Sequence, residues 1–494
     1  RQIQMTSIVV INISNLSRLI AYYFYIIMNK YILHGKLYSP YQEDGVKWML
    51  AMENQPKGPK GGFLCDEMGL GKTIQIISTI LDNPKPRTLI VVPKTIVTQW
   101  STEIAKFAPG LSVLVYDGPE RTKDIHAMMN ADLVICPYSM LHNKTSLLQR
   151  IKWDRVVLDE AHEIRNRQTR TFKAAFKLET GIRWLVTGTP VFNSMEDFVS
   201  LCAFLGFSKN TVQAMHKEIK DIYIMRRTKS DGLITLPYCH FENIELDMYE
   251  DERILYEGAF VESQERIRDI MSTAISIESR NMHILECLLR VRQVMIWPQL
   301  YLDGVAKKEE QEPTTWKGST RKMDTLHDCI NSHPDEKSIV FCQYNGEMNK
   351  IERMFGGKVY RIDGSVDKDE RNVRLQKFKD VSGGAVLVIQ IKCGGVGLNV
   401  QCASRVYIMS PSWNPSTELQ AIGRCHRSGQ TREVYVKKFL YNDTQRVRSV
   451  DLAMVSLQGH KAVLCADVLN DKRIETQIPS KQEKSIDAIR KIFR

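Results

Sequence analysis

The chain has 494 residues, 43% hydrophobic and 25% charged. That is more than one hydrophobic core usually organises, so at least two soluble globular domains are expected. Lys+Arg exceed Asp+Glu by 68 − 57 = 11, a balance that suits a polyanionic partner such as nucleic acid. The eleven cysteines stand singly with no CxxC pair, which argues against zinc and against a disulfide framework and favours a reducing compartment, nuclear or cytoplasmic, rather than secretion.

Residues 1–35 read as an N-terminal extension without functional signal, and Met28 is a candidate start. Its apolar run LIAYYFYIIM (19–28) lies between Arg18 and Lys30 and is too short to span a bilayer. No small-residue cleavage site follows it, so no membrane association is expected. YSPYQEDGVKWML (38–50) reads as a loop and then an amphipathic helix, with Val46, Met49 and Leu50 at helical spacing. Gln42 stands just before that helix. Its amide can donate and accept at an adenine edge, although taken alone it reads as a surface residue.

In GGFLCDEMGLGKT (61–73) a short apolar strand enters a glycine turn, and Gly71-Lys72-Thr73 opens a helix. Such a turn points backbone N–H groups inward at a helix N-terminus and favours an anion. Lys72 then offers a point charge to β- and γ-phosphates, and Thr73 a hydroxyl to Mg²⁺. The full phosphate-loop pattern wants a glycine where Asp66 stands; Gly69 and Gly71 are kept.

Five further strand units follow. TLIVVPKTIVTQW (88–100) is a strand ending at Pro93 and a helix start; SVLVYDG (112–118) and DLVICPYSML (132–141) are strand-plus-turn units. RVVLDEAHEIRN (155–166) is an apolar strand ending in Asp159-Glu160, which sets two carboxylates at the carboxyl edge of a sheet, where open α/β sheets bind ligands. One carboxylate can hold Mg²⁺ through water while the other orients and deprotonates the attacking water. RWLVTGTP (183–190) ends in Thr187 and Thr189, whose hydroxyls either relay a change at a nucleotide or cap a turn. Strands alternating with helices predict a parallel sheet covered on both faces.

These stretches, with WLVTGTPVFNSMEDF and YIMRRTKSD (223–231), resemble successive motifs of the Swi/Snf-type, helicase-related DNA translocases of helicase superfamily two, with a DEAH box. WDRVVLDEAHEIRN is most similar to the subgroup holding helicase-like transcription factor and transcription termination factor 2.

Residues 240–318 read as helix-rich and charged, with Leu288, Val291 and Met295 sharing a face. After the polar linker TTWKGST (314–320), a second set of strands begins: SIVFCQY (338–344), KVYRIDG (358–364), AVLVIQI (385–391) and RVYIMS (405–410). They predict a second α/β domain. KCGGVGLN (392–399) is a glycine-rich turn after a strand. In QAIGRCHRSGQ (420–430), Gln420, Arg424 and Arg427 stand four and three residues apart, so that one helix ended by Gly429 would present all three on one side. Two guanidinium groups aimed at a γ-phosphate act as arginine fingers; on their own they read as a solvated basic face.

FCQY, RIDGSVDKDER, GGVGLN and SPSWNPSTELQAIGRCHRSGQTR are similar to the second-lobe motifs of the same translocases, so the resemblance covers about residues 36–445. It implies an α/β fold of two tandem RecA-like lobes, parallel sheets flanked by helices, with helical insertions between them. The implied divisions are lobe 1 at 36–230, a helical insertion and linker at 231–318, lobe 2 at 319–445, and a helical brace or tail at 446–494. ATP and Mg²⁺ are implied, held by Gln42, Gly69, Gly71, Lys72, Thr73 and Asp159, with Gly397 and Gln420. Catalysis would rest on Lys72, Asp159, Glu160, Arg424 and Arg427, and coupling on His162, Thr187 and Thr189. Double-stranded DNA would meet Pro93, Lys94, Gln99, Trp100, Arg361, Lys392, Trp413 and Asn414.

The chain departs from the family in two places. Gln390-Ile391 stand where Ser-Thr is usual, and Ser410 replaces the acid before Pro411. No RING insert or recognition domain is visible. The leading expectation is a monomeric ATP-driven translocase on duplex DNA, working against nucleosomes or a polymerase; a strand-separating helicase and a catalytically weak DNA-binding scaffold are the alternatives.

Overall fold

The protein is described from a computed structural model over residues 33–37, 40–143, 146–188, 195–231, 236–273, 276–394, 399–427, 429–469 and 485–493. Packing divides it into two compact units. The first runs to Leu64 and includes Gly71–Thr187 and Leu201–Met225; the second takes Cys65–Leu70, Gly188–Ser200 and the chain from Arg226 onward.

The first unit holds a seven-stranded parallel sheet ordered β3-β4-β2-β5-β6-β1-β7. Its strands are β1 (Lys60–Leu64), β2 (Thr88–Val92), β3 (Val113–Val115), β4 (Leu133–Pro137), β5 (Trp153–Asp159), β6 (Thr180–Val186) and β7 (Ile224–Met225). β2 and β4 are buried at every position, as expected for strands covered on both faces. Register sets what meets at the carboxyl edge: Leu64 of β1 and Asp159 of β5 both pair with Val186 of β6. The glycine loop after β1, the carboxylate pair after β5 and Thr187 after β6 therefore emerge at one level.

The second unit holds a six-stranded parallel sheet ordered β10-β11-β9-β12-β13-β8, built from β8 (Cys239–Leu246), β9 (Ser338–Cys342), β10 (Val359–Ile362), β11 (Val386–Gln390), β12 (Arg405–Ile408) and β13 (Val434–Tyr441). Side chains alternate between two cores. Ile339, Phe341, Leu387, Ile389, Val406 and Ile408 enter one; Val340, Cys342, Val386, Val388, Tyr407 and Met409 enter the other. This is the period of two that a strand imposes.

β8 lies inside the stretch read from sequence as helical, and pairs with β13 over eight residues. Its sequence CHFENIEL is half polar because it is an edge strand whose Phe241, Glu242 and Asn243 are exposed, so no apolar run marks it. The rest of that stretch is helical. Helices Glu250–Ser272 and Ile277–Ile296 bury Tyr256, Phe260, Leu288, Val291 and Met295 in one cluster. The same cluster takes Ile489, Ile492 and Phe493. The final helix, Ser485–Ile492, is thus packed within the second unit instead of hanging as a frayed tail. Among the described residues no helix is long and apolar enough to cross a membrane.

Candidate nucleotide site

In the first unit the helix Lys72–Asp82 is capped by Gly71 in the left-handed conformation, φ 75° and ψ 43°. A Cβ there would lie 2.3 Å from Gln42 Nε2, so both the backbone angle and the close approach require glycine. Gln42 is not ahead of its helix, as expected from sequence, but in the first turn of Tyr41–Asn54, 1% exposed. Pro40 takes the N-cap position instead. The amide donates to Tyr41 Oη at 3.2 Å and lies against the loop. Lys72 and the half-buried Thr73 open a helix with no side-chain cap at its start and no acid in its first turn. The positive end of such a helix dipole favours an anion.

Asp159 ends β5 half-buried, and its surroundings hold it firmly. Trp100 Nε1 donates to Oδ2 at 2.7 Å, the Glu160 N–H donates to Oδ1 at 2.9 Å, and Tyr138 Oη donates to the Asp159 carbonyl at 2.8 Å. Burial first, and then the neighbouring Glu160 charge, push this carboxyl up to about 6, against the opposing pull of the Trp100 hydrogen bond and the Lys72 ammonium. Glu160 has φ 49° and ψ 50°, a left-handed conformation that costs a residue with a Cβ about 1–2 kcal/mol. Its Oε2 stands 3.3 Å from His162 Nδ1.

Asp159, whose proton affinity the neighbouring Glu160 charge raises and the Lys72 ammonium lowers, is a hard oxygen donor that a divalent cation would relieve of that repulsion. The residues therefore fit Mg²⁺. Asp159 binds its proton more tightly in the folded protein than in the unfolded chain, so its contribution to stability falls as pH rises from about 4 to about 6, while the charged form that a cation needs appears only above about 6. Measured as a pH profile, kcat/KM for ATP is expected to lose activity below about pH 6. An acid limb near 4 would show that Asp159 does not govern it.

Other predicted residues fall out differently. Thr187 is fully buried, its N–H on the Leu64 carbonyl; Thr189 and Gly397 lie outside the described residues, as does the Lys392 side chain. Lys94 is exposed, and Pro93 and Gln99 are half-buried. Trp100 corrects the expectation of a DNA contact. It shares the inward face of helix Val97–Phe107 with Val97 and Ile104, and its indole N–H is already engaged by Asp159.

In the second unit Gln420 is on the helix Pro415–Ile422, but that helix stops before both arginines. Gly423 caps it, and the chain continues in turns that bury Cys425 in the sheet's core. One helix face does not present the three side chains. Arg424 is 9% exposed and Arg427 half-buried. Arg361 is paired with Glu352 at 2.9 Å and with Asp363 at 2.6 Å. Trp413 packs on the helical cluster with Lys461 Nζ 4.4 Å from its ring centroid, and Lys461 donates to Asn414 Oδ1 at 3.3 Å. Arg361, Trp413 and Asn414 thus have structural partners already. At the departures from the family pattern, Gln390 Nε2 donates to the Gln343 carbonyl at 3.4 Å, and Arg292 Nη2 donates to Ser410 Oγ at 3.2 Å.

Sequence reasoning missed the partners of Asp66 and Glu67. Asp66, fully buried, takes the Arg227 guanidinium as an ion pair and the Arg227 N–H at 3.1 Å; Glu67 Oε2 takes the Lys229 N–H at 2.9 Å. The signal was present as an acidic pair in DEMG and a basic series in RRTK, but about 160 residues separate them.

Residues 41–300 match the SNF2-related domain and residues 321–429 the helicase conserved C-terminal domain. The chain is 31% identical over 474 residues to the putative ATP-dependent helicase/translocase YwqA of Bacillus subtilis, covering 89% of this chain and 49% of that protein. It is 29% identical over 438 residues to the probable global transactivator of Orgyia pseudotsugata multicapsid polyhedrosis virus, covering 82% of this chain and 87% of that one. The Sulfolobus solfataricus SWI2/SNF2 ATPase core in complex with dsDNA is 27% identical, with 90% and 95% of the two chains covered and a TM-score of 0.41. The chain spans about half the length of the Bacillus protein.

Proposed function

The chain belongs to the SNF2-related domain family, and on that premise we propose that it is an ATP-dependent translocase on double-stranded DNA. The observation that carries the reading is the Asp159-Glu160 pair, placed by strand register at the same edge as the glycine loop, with Lys72 in electrostatic contact with Asp159. A loop that binds anions, a carboxylate that can hold a cation and a second carboxylate that can take a proton from water are what phosphoanhydride hydrolysis requires.

In this reading Gln42 reads the adenine edge, Gly71 and the helix N-terminus cradle phosphate, and Lys72 neutralises the β- and γ-oxygens. Glu160 orients and deprotonates the attacking water, with His162 holding its carboxylate. Mg²⁺, when bound through Thr73 and Asp159, would neutralise phosphate charge. Arg424 and Arg427 would supply guanidinium groups to the transition state, and Thr187 would relay the state of the nucleotide. Among the described side chains proposed for the DNA backbone, Lys94, at an exposed turn, is the one whose exposure suits it. The net charge of +11 supports a nucleic-acid partner. Within the family, WDRVVLDEAHEIRN supports affinity with the helicase-like transcription factor subgroup, and work on nucleosomes, a polymerase or a damaged template supported by Mg²⁺ falls within this proposal.

Duplex DNA is expected to stimulate ATP hydrolysis by the intact chain, with the stimulation falling steeply as salt rises because phosphate contacts release counterions. Hydrolysis indifferent to duplex at every salt concentration would remove the translocase reading and leave a nucleotide hydrolase.

A further inference from the structure

Within the second unit, residues 226–231 lie as a strap along Cys65–Leu70. Arg226 Nη1 donates to the Cys65 carbonyl at 2.8 Å and to the Gly188 carbonyl at 3.3 Å. The Glu67 N–H donates to the Arg227 carbonyl at 2.8 Å, and Arg227 closes on Asp66. The Asp231 carboxylate accepts the Thr228 N–H at 2.7 Å and turns the strap back. Every one of these bonds stays between the strap and the loop or Gly188, or within the strap. Lys229 also reaches elsewhere. Its backbone N–H is on Glu67, its ammonium stands 3.7 Å from Glu67 Oε1, and Nζ also donates to the His426 carbonyl at 2.8 Å.

His426 sits in the turn between Arg424 and Arg427. The packing there is close. A Cβ placed on Gly69, whose φ is +92°, would meet Lys229 Cε at 3.5 Å and Arg427 Cβ at 3.6 Å, ordinary van der Waals contact. Loop, lysine and arginine turn therefore lie close together, a single methyl group's width apart at Gly69. The Lys229 side chain is 14% exposed, so its charge-assisted bonds compete with little water. A compact ammonium with three donors suits the task of joining a carboxylate to a carbonyl.

We propose that Lys229 is a positioning residue that ties the glycine loop, through Glu67, to the arginine turn, through the His426 carbonyl, and so sets the rate of turnover more than the affinity for nucleotide. The inference rests on the ATPase reading above and deepens it by naming what holds the arginine turn in place. Lys229 touches no reacting atom in this account; it acts through the placement of its neighbours.

The test compares the intact chain with Lys229→Met and Lys229→Arg. Lys229→Met is expected to lower kcat about tenfold, as loss of one charge-assisted hydrogen bond from the productive arrangement would, with KM for ATP within about twofold. Lys229→Arg keeps the charge and the donors and is expected to recover kcat to within about threefold. In the nucleotide-free proteins, hydrogen exchange at Glu67–Leu70 and at Arg424–Arg427 should quicken together in the Met variant and return in the Arg variant. A Met variant with unchanged kcat, one that raises KM at constant kcat, or exchange unaltered at either segment overturns the proposal. An intact chain that hydrolyses no ATP overturns the proposed function and the kinetic half of this inference, while the exchange measurement still decides whether Lys229 is the tether.

Discussion

Glu160→Gln is expected to lower duplex-stimulated ATP turnover by about a thousandfold, within the range that a positioned general base contributes, while nucleotide affinity stays within a few fold. The substitution is close to isosteric. It keeps the N–H that Glu160 donates to Asp159 and a side-chain oxygen facing His162; what it removes is the capacity to take a proton. It also relieves Asp159 of the neighbouring negative charge that helps raise its carboxyl, so the acid limb of any residual activity should move to lower pH. Glu160 holds an unfavourable backbone conformation at the end of β5, which places this carboxylate on a backbone whose strain the surrounding fold must hold. Rapid-quench turnover with labelled ATP, alongside nucleotide binding by fluorescence, separates the two effects. Turnover within tenfold of the unaltered chain would assign the base elsewhere.

Arg155→Met should produce the largest loss of stability among single substitutions in the first unit, about 3–5 kcal/mol. Arg155 and Glu53 are fully buried and joined by two bonds, Nε to Oε1 at 2.6 Å and Nη2 to Oε2 at 2.5 Å. Around them Trp184 Nε1 donates to Oε1 at 2.9 Å, Asn83 Nδ2 donates to Oε2 at 2.6 Å, and Arg155 Nη2 also reaches the Asn83 carbonyl at 2.7 Å. Removing the guanidinium leaves a buried carboxylate with two neutral donors and no counter-charge, which is the costly way to break such a pair.

The consequence reaches the site. Glu53 belongs to the helix that carries Gln42, Asn83 follows the helix that opens with Lys72, and Arg155 belongs to the strand that ends in Asp159. The pair thus locks together three of the elements that place the groups proposed to bind nucleotide. Thermal unfolding of the first unit should fall by about 10 °C, and the double variant Glu53→Leu/Arg155→Met should recover much of the loss, because replacing both charges by apolar groups removes the burial penalty with the attraction. A single variant melting within about 2 °C of the parent would show that the pair does not carry this stability.

Sequence by itself determined the parts whose physics is local. The strand, glycine turn and helix of 60–82 were legible because apolar runs bounded by glycine, and a lysine at a helix start, leave few other conformations. The same holds for β5 and its terminal Asp159-Glu160, and for the strands of the second sheet that carry continuous apolar runs. Locality also misled. Gln420, Arg424 and Arg427 have helical spacing, yet burial of Cys425 ends the helix at Ile422.

Tertiary structure alone decided which polar groups are inside. Glu53 and Arg155, 102 residues apart, and Asp66 and Arg227, 161 apart, look like ordinary surface charges in sequence, because burial of a charge depends on which distant strand brings its partner. Trp100 follows the same rule: its pattern says only that a helix has an inward face, while the register of β5 beside β2 determines that an aspartate waits there to accept its indole N–H. Even β8, an edge strand with a half-polar sequence, exists because β13 offers it eight residues of backbone to pair with. Chain-local propensity sets the elements; the free energy of burying and pairing charge across the sheets selects the residues that hold the site in place.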